Sequence, residues 1–128
     1  MLKLREYLRI LKGLRRYSIT QYVANPLVKG SAERYLHLSI ECLLDMGNHI
    51  ISDLGLRKPE DYQEVFIILS EAGILPKPFV RRIAPMAGFR NILVHDYLKI
   101  DDSKVYAILH KHVPDFEKFV GYVAKYLS

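Results

Sequence analysis

Apolar and polar positions alternate with the period of an α-helix almost from one end of the chain to the other. Leu4, Leu8, Leu11 and either Ile10 or Leu14 mark one apolar face, with Arg5, Arg9, Lys12, Arg15 and Arg16 over much of the remainder. This spacing predicts a first helix over 2–17. Ser18 has the place of a cap before a short helical turn, Ile19–Val23, which Asn25-Pro26 stops. The longest periodic stretch follows over 27–54, carrying Ala32, Tyr35, Leu36, Ile40, Leu43, Leu44, Gly47, Ile50, Ile51 and Leu54. It reads as a long core helix ended near Gly55. Pro59-Glu60-Asp61 reads as the first turn of a fourth helix, its acids placed well against the helix dipole, running to about Ala72 before Gly73 breaks it. Ile74–Pro78 is a connector with two prolines. A fifth helix runs from Phe79 to about Leu98, and Pro85 either kinks it or moves its start to near Ala84. Asp101 and Asp102 open a last helix bearing Val105, Ile108, Leu109, Phe116, Phe119, Val120 and Val123, which Pro114 kinks or interrupts. No stretch has the pattern of a strand, a repeat or a linker. Short loops between long helices predict an all-α, antiparallel helical bundle of four to six helices, forming one domain over 1–128.

Composition narrows the function classes. Half of the 128 residues are hydrophobic and about a quarter are charged, the balance of an ordinary globular domain rather than a disordered tail. Nineteen basic against fourteen acidic residues leave a net charge of +5, which favours polyanionic partners such as RNA. Cys42 is the one cysteine, so no internal disulfide can form. In its apolar setting it reads as a small core hydrophobe, and this usage fits a reducing cytoplasm. The N-terminus mixes charge with apolar residues, with no signal-peptide core, and no apolar run approaches the ~20 residues of a membrane span. Phosphate-binding glycine loops, Cys/His zinc spacing, a nucleophile elbow and the common nucleic-acid-binding signatures are absent from the sequence.

The segment Gly88-Phe89-Arg90-Asn91-Ile92-Leu93-Val94-His95-Asp96-Tyr97 carries the candidate chemistry. It resembles the HEPN signature, an Arg followed after four to six residues by a His, and its H-x-Y ending resembles the HepT-like branch. The long-helix ending D-M-G-N-H-I-I, the connector E-A-G-I-L-P and the run Y-L-K-I-D look like that family as well, so the likeness covers most of the chain. The resemblance implies a metal-independent endoribonuclease, the toxin of a type II toxin–antitoxin pair, without a cofactor. It also implies a homodimer with the motif at the interface cleft, and a minimal nucleotidyltransferase (MNT-type) antitoxin that transfers AMP onto Tyr97. A bulky anion there would block RNA sterically and repel its phosphates.

The residue types fit that chemistry on their own account. Cleaving RNA without a metal needs a base near the 2′-hydroxyl, an acid for the leaving oxygen and cations at the phosphate. Histidine titrates near neutrality and serves as acid or base, which casts His95 in that role. Arg90 stays charged and grips phosphate through a planar fork. Asn91 adds a neutral donor to orient the phosphate or the histidine. At about 100° per residue, Arg90 and His95 lie about 140° apart on a regular helix and do not share a face. Asn91 and His95 do, and so do Arg90 and Tyr97 if the helix persists. Both Arg90 and His95 reach one phosphate only if the helix ends near His95 or if two copies share a cleft. The structural alternative makes Arg90 a surface cation near a carboxylate, His95 a helix C-terminal cap and Tyr97 a core or interface residue. The alternative from another class is a non-catalytic helical partner that docks a nucleotidyltransferase.

Outside the motif, Glu33, His37, Glu41, Asp45 and His49 recur every four residues of the long helix. No second helix supplies matching ligands, and the expectation is that they bind no metal. Asp45, Asn48 and His49 read either as polar support for the cleft, which would let Asp45 orient a histidine, or as ordinary polar positions of the helix, and Asp96 reads as further cleft support. Arg81-Arg82 either extends an RNA-binding surface or is a solvated pair, and His110 and His112 read as surface residues.

Overall fold

In a computed structural model of the chain, residues 2–128 are described, apart from the side chains of Leu2 and Tyr97. Every regular element among them is helical: α1 (Leu2–Leu14), α2 (Ile19–Ala24), α3 (Pro26–Asp53), α4 (Tyr62–Glu71), α5 (Lys77–Ile83), α6 (Pro85–His95), a 3-10 turn (Tyr97–Lys99), α7 (Asp102–Lys111) and α8 (Val113–Leu127). Ala84 and His112 keep right-handed helical angles (φ −56°, ψ −37° and φ −108°, ψ −14°). Thus α5–α6 and α7–α8 are each one helix broken where Pro85 and Pro114 remove an N–H. Counting each broken pair once gives six helices among the described residues, the upper bound of the expected bundle.

The long helix α3 is the centre of the molecule and packs against α1, α2, α4, α6, α7 and α8. Asn25 starts it: its side-chain oxygen accepts from the Leu27 and Val28 N–H groups at 3.0 and 3.3 Å, with Pro26 at the first helical position. Val28, Ala32, Leu36, Ile40, Leu43, Leu44, Gly47, Ile50 and Ile51 then form its buried stripe. Gly55 and Gly73 end α3 and α4 with positive φ of 64° and 80°. Each closes a Schellman motif, in which Leu56 N–H reaches Ile51 O and Ile74 N–H reaches Leu69 O, both at 3.0 Å. These are the two breaks that the sequence places at the same glycines.

Other boundaries differ from expectation for local reasons. Helix α1 stops at Leu14 rather than residue 17, because Ser18 is extended and locks a capping box with Gln21 that starts α2. Pro59-Glu60-Asp61 is not the first turn of α4. Asp61 is its cap, extended (φ −147°, ψ 175°) with its carboxylate accepting from Glu64 N–H at 2.9 Å. The fifth helix begins earlier, at Lys77, and ends earlier, at His95. Asp101 caps α7 as expected, through the Ser103 and Lys104 N–H groups.

Gly47 lets α3 and α4 approach closely. A Cβ there would lie 2.5 Å from Val65 Cγ1 and 3.3 Å from Leu69 Cδ1. Val65 is β-branched and buried, so it turns aside poorly. Gly47→Ala gains about 1 kcal/mol of helix propensity but forces the pair apart at a cost of about 1–3 kcal/mol. Urea unfolding of this variant is expected to show a net loss of stability.

The two histidines read as surface residues are not free surface groups. His112 Nδ1 lies 3.0 Å from Asp115 Oδ2, and Asp115 is wholly buried. His110 Nε2 is buried without a hydrogen-bond partner among the described residues, and burial, then the Arg15 charge, pushes its pKa below the usual imidazole value. Arg82 also departs from the pair read as RNA-binding or solvated. Its Nε and Nη2 hold Asp115 at 3.1 and 3.2 Å, while Arg81 stays exposed. Cys42 is half-buried against the core, and burial first of all raises its thiol pKa, so it is a poor nucleophile.

Candidate active site

Helix α6 carries the motif and is oriented by its apolar side. Met86, Ala87 and Phe89 are buried and Leu93 packs against the core, so α6 lies against α3 and α4. Gly88, Asn91 and His95, three and four residues apart, fall on the outward stripe, and Asn91 and His95 are exposed.

Arg90 points the other way. Only 13% of its side chain is exposed, and its Nε donates to Glu41 Oε1 on α3. Its Nη1 donates to Asn91 Oδ1 at 3.2 Å, and its guanidinium carbon lies 4.6 Å from the centroid of the Tyr62 ring at the start of α4. A carboxylate and an aromatic ring therefore fix the plane of the guanidinium, leaving Nη2 and the second hydrogen of Nη1 for an anion. His37 Nε2, one turn before Glu41, lies 3.6 Å from the same carboxylate oxygen. The Arg90–carboxylate contact of the structural alternative is present, but in a largely buried setting rather than at the surface. Glu41 and Tyr62 are not legible as partners of Arg90. The only trace of Glu41 is its place in the four-residue stripe of α3, and Tyr62 has none.

His95 is the last residue of α6 and is exposed. The helix does not persist to Tyr97. Asp96 leaves helical angles (φ −117°, ψ 49°), its N–H still reaching Ile92 O, and the chain tightens into the 3-10 turn. The shared face of Arg90 and Tyr97 expected from an unbroken helix is thus lost, and the Tyr97 side chain lies outside the described residues. A helix end at His95 is the condition under which one chain could aim both groups at a single phosphate. Asp96 is exposed at this end.

Of the α3 residues proposed as cleft support, only Asn48 lies with the motif. It shares with Asn91 a cleft of about 540 Å³ that Lys58, Glu60, Asp61 and Tyr62 also line. Asp45 and His49 line a separate groove of about 560 Å³ against Val123, Tyr126 and Leu127 of α8, where His49 Nε2 is 3.3 Å from Asp53. Among the described residues, no group of three or more His, Cys, Asp or Glu side chains is placed to hold a metal ion. No described helix is long and apolar enough to cross a membrane.

Known proteins share both sequence and fold with this chain. The sequence model of the family described as Ribonuclease HepT-like matches residues 4–123. A tRNA nuclease HepT of Aphanizomenon flos-aquae is 31% identical over 121 residues, covering 94% of this chain and 82% of that protein. An mRNA nuclease HepT of Shewanella oneidensis is 30% identical over 83 residues, 65% of this chain and 62% of that one. The solved structure of a tri-AMPylated Shewanella oneidensis HEPN toxin in complex with MNT antitoxin matches with a TM-score of 0.87 at 23% identity, covering 95% of this chain and 91% of that chain. YutE from Bacillus subtilis, a cytosolic protein in the description of its structure, matches with a TM-score of 0.79 at 22% identity, covering 98% and 88%. The two structures share the all-helical fold described above, and with the family match over 4–123 and the identity to a HepT nuclease along nearly its whole length, this chain belongs to the HepT-like ribonuclease family.

Proposed function

We propose that this chain is the toxin of a type II toxin–antitoxin pair, a single-domain, metal-independent endoribonuclease that acts in the cytoplasm as a homodimer. The observation that carries the reading is the coincidence of the Arg90-Asn91 and His95 motif, at the open end of α6, with a family of ribonucleases matched over 4–123. In the reaction the 2′-oxygen attacks the adjacent phosphorus, the bond to the 5′-oxygen breaks, and a 2′,3′-cyclic phosphate and a 5′-hydroxyl result. The 2′-hydroxyl proton leaves to a base and the 5′-oxygen gains one from an acid. His95 takes one of these roles, and the partner copy's motif supplies a second imidazole across the dimer cleft. Arg90 binds the non-bridging oxygens by its Nη edge. Asn91, whose side-chain oxygen is turned to Arg90, keeps its amide NH2 for the phosphate.

The partner in this reading is a minimal nucleotidyltransferase of the MNT type, the antitoxin with which the Shewanella relative was solved. Tyr97 is the acceptor: its phenolic oxygen attacks the α-phosphorus of ATP, pyrophosphate leaves, and the phenolic proton is lost. Expression of the chain alone is expected to arrest growth, and co-expression with the nucleotidyltransferase or the His95→Ala substitution to relieve the arrest. Equal growth of cells expressing wild type and His95→Ala would count against a toxin acting through this motif.

A further inference from the structure

The cleft beside Asn91 is built differently from a phosphate site, and its lining has a use the reaction above leaves unexplained. Its volume, about 540 Å³, is that of a small-ligand site. Two of its walls are carboxylates, Glu60 and Asp61, which repel a phosphate and accept hydrogen bonds when ionised. Two more are the side-chain amides of Asn48 and Asn91, and the Tyr62 ring, 40% exposed, forms another. We propose that this cleft is a base-recognition subsite, which seats the nucleobase next to the scissile phosphate and favours bases bearing an exocyclic amino group over uracil. The proposal rests on the ribonuclease reading and deepens it.

Three features carry the inference. First, Tyr62 belongs to both places: Arg90 lies over its ring at 4.6 Å, and the same ring lines the cleft. A base beside Tyr62 therefore adjoins the arginine that would hold the phosphate, and aromatic rings are the usual platform for splayed single-stranded bases. Second, the hydrogen-bonding inventory suits an amino-bearing edge. Asp61 uses Oδ1 to cap α4, leaving Oδ2, and Glu60 has its backbone N–H held by Glu64 at 2.8 Å, which fixes the segment that presents its carboxylate. These acceptors meet the amino group of adenine, cytosine or guanine. Uracil offers them only its N3–H, flanked on both sides by carbonyl oxygens that set acceptor against acceptor. Third, Asn91 has its Oδ1 on Arg90 and its NH2 assigned to the phosphate, so the exposed Asn48 amide is the donor left for ring or carbonyl acceptors of the base. Lys58, which also lines the cleft, supplies a cation for a neighbouring phosphate.

The test uses the purified full chain and short RNA oligonucleotides that differ only in the base at one position on either side of the cleaved bond. Wild type is expected to cut amino-bearing bases about tenfold faster than uracil at one of these positions. Glu60→Gln and Asn48→Ala alter exposed side chains that line the cleft and have no part in the bond-breaking steps proposed above. Each is expected to shrink that ratio to about twofold while cleavage persists. Cleavage without any base preference, or a preference that both variants retain in full, overturns the subsite and leaves the ribonuclease reading standing. Failure of wild type to cut any of the oligonucleotides overturns both.

Discussion

Replacing His95 by Ala is expected to slow RNA cleavage by on the order of 100- to 10,000-fold, the usual contribution of a positioned acid or base. The site makes this a clean experiment. His95 is exposed at the end of α6, and substitutions at such places change stability by only about 0.5 kcal/mol. A loss of rate with an unchanged melting temperature therefore reports chemistry. Arg90→Ala is expected to cost a similar factor, but it is less clean, because it also strands Glu41 and uncovers Tyr62. The two variants together probe the shared cleft. The proposed cleft uses the imidazoles of both copies, so mixed dimers of Arg90→Ala and His95→Ala, which retain one His95 and one Arg90, are expected to regain none of the wild-type rate. Restoration of a measurable part of that rate would mean instead that one imidazole, paired with the Arg90 of the other copy, suffices. Initial rates on a labelled RNA, before and after subunit exchange, decide between them.

The largest expected effect on stability lies far from the motif, at Arg82. Asp115 is a wholly buried carboxylate in the first turn of α8, held by Arg82 Nε and Nη2 and by His112 Nδ1. Arg82 itself is 56% exposed, so the pair gains little as a surface salt bridge. Its removal matters because the carboxylate would remain buried with a single side-chain partner. Arg82→Ala is expected to lose about 3 kcal/mol, the lower end for an uncompensated buried charge because His112 and the α8 N-terminus still favour the anion. For a chain of this size that is a fall in melting temperature of roughly 10 °C. The double substitution Arg82→Ala with Asp115→Asn removes the stranded charge and is expected to be more stable than Arg82→Ala alone. Calorimetry of the three proteins checks the order.

What the sequence conveyed about the fold was mostly local. Ser18, Asn25, Asp101, Gly55 and Gly73 act through hydrogen bonds and backbone angles within a few residues, and each has the role its type suggests. Pro85 and Pro114 break their helices for an equally local reason. Asp61 shows the limit of such reading: an acid suits either a helix's first turn or its cap, and only its extended backbone decides for the cap. The motif was legible through its residue types and spacing, and Asn91 and His95 share the exposed stripe that a regular helix predicts. The surroundings of Arg90 were not legible. Glu41 is 49 positions away in the chain, and its place under the guanidinium is set by how α6 crosses α3. The same holds for Arg82 and Asp115, 33 positions apart, which join α5 to α8. The sequence leaves Asp45 and His49 open between cleft support and ordinary polar positions, and the turn of α3 directs them to a different groove.

The central claim, that the Arg90–His95 motif cleaves RNA without a metal, is tested most directly by the chemistry of the new ends formed in the presence of a chelator. Wild-type protein in excess EDTA is expected to cut RNA into fragments with 2′,3′-cyclic phosphate and 5′-hydroxyl termini, read by mass spectrometry, and His95→Ala to produce none above background. Fragments with 5′-phosphate ends, cleavage that stops when divalent metal is removed, or His95→Ala cutting at the wild-type rate would contradict the account.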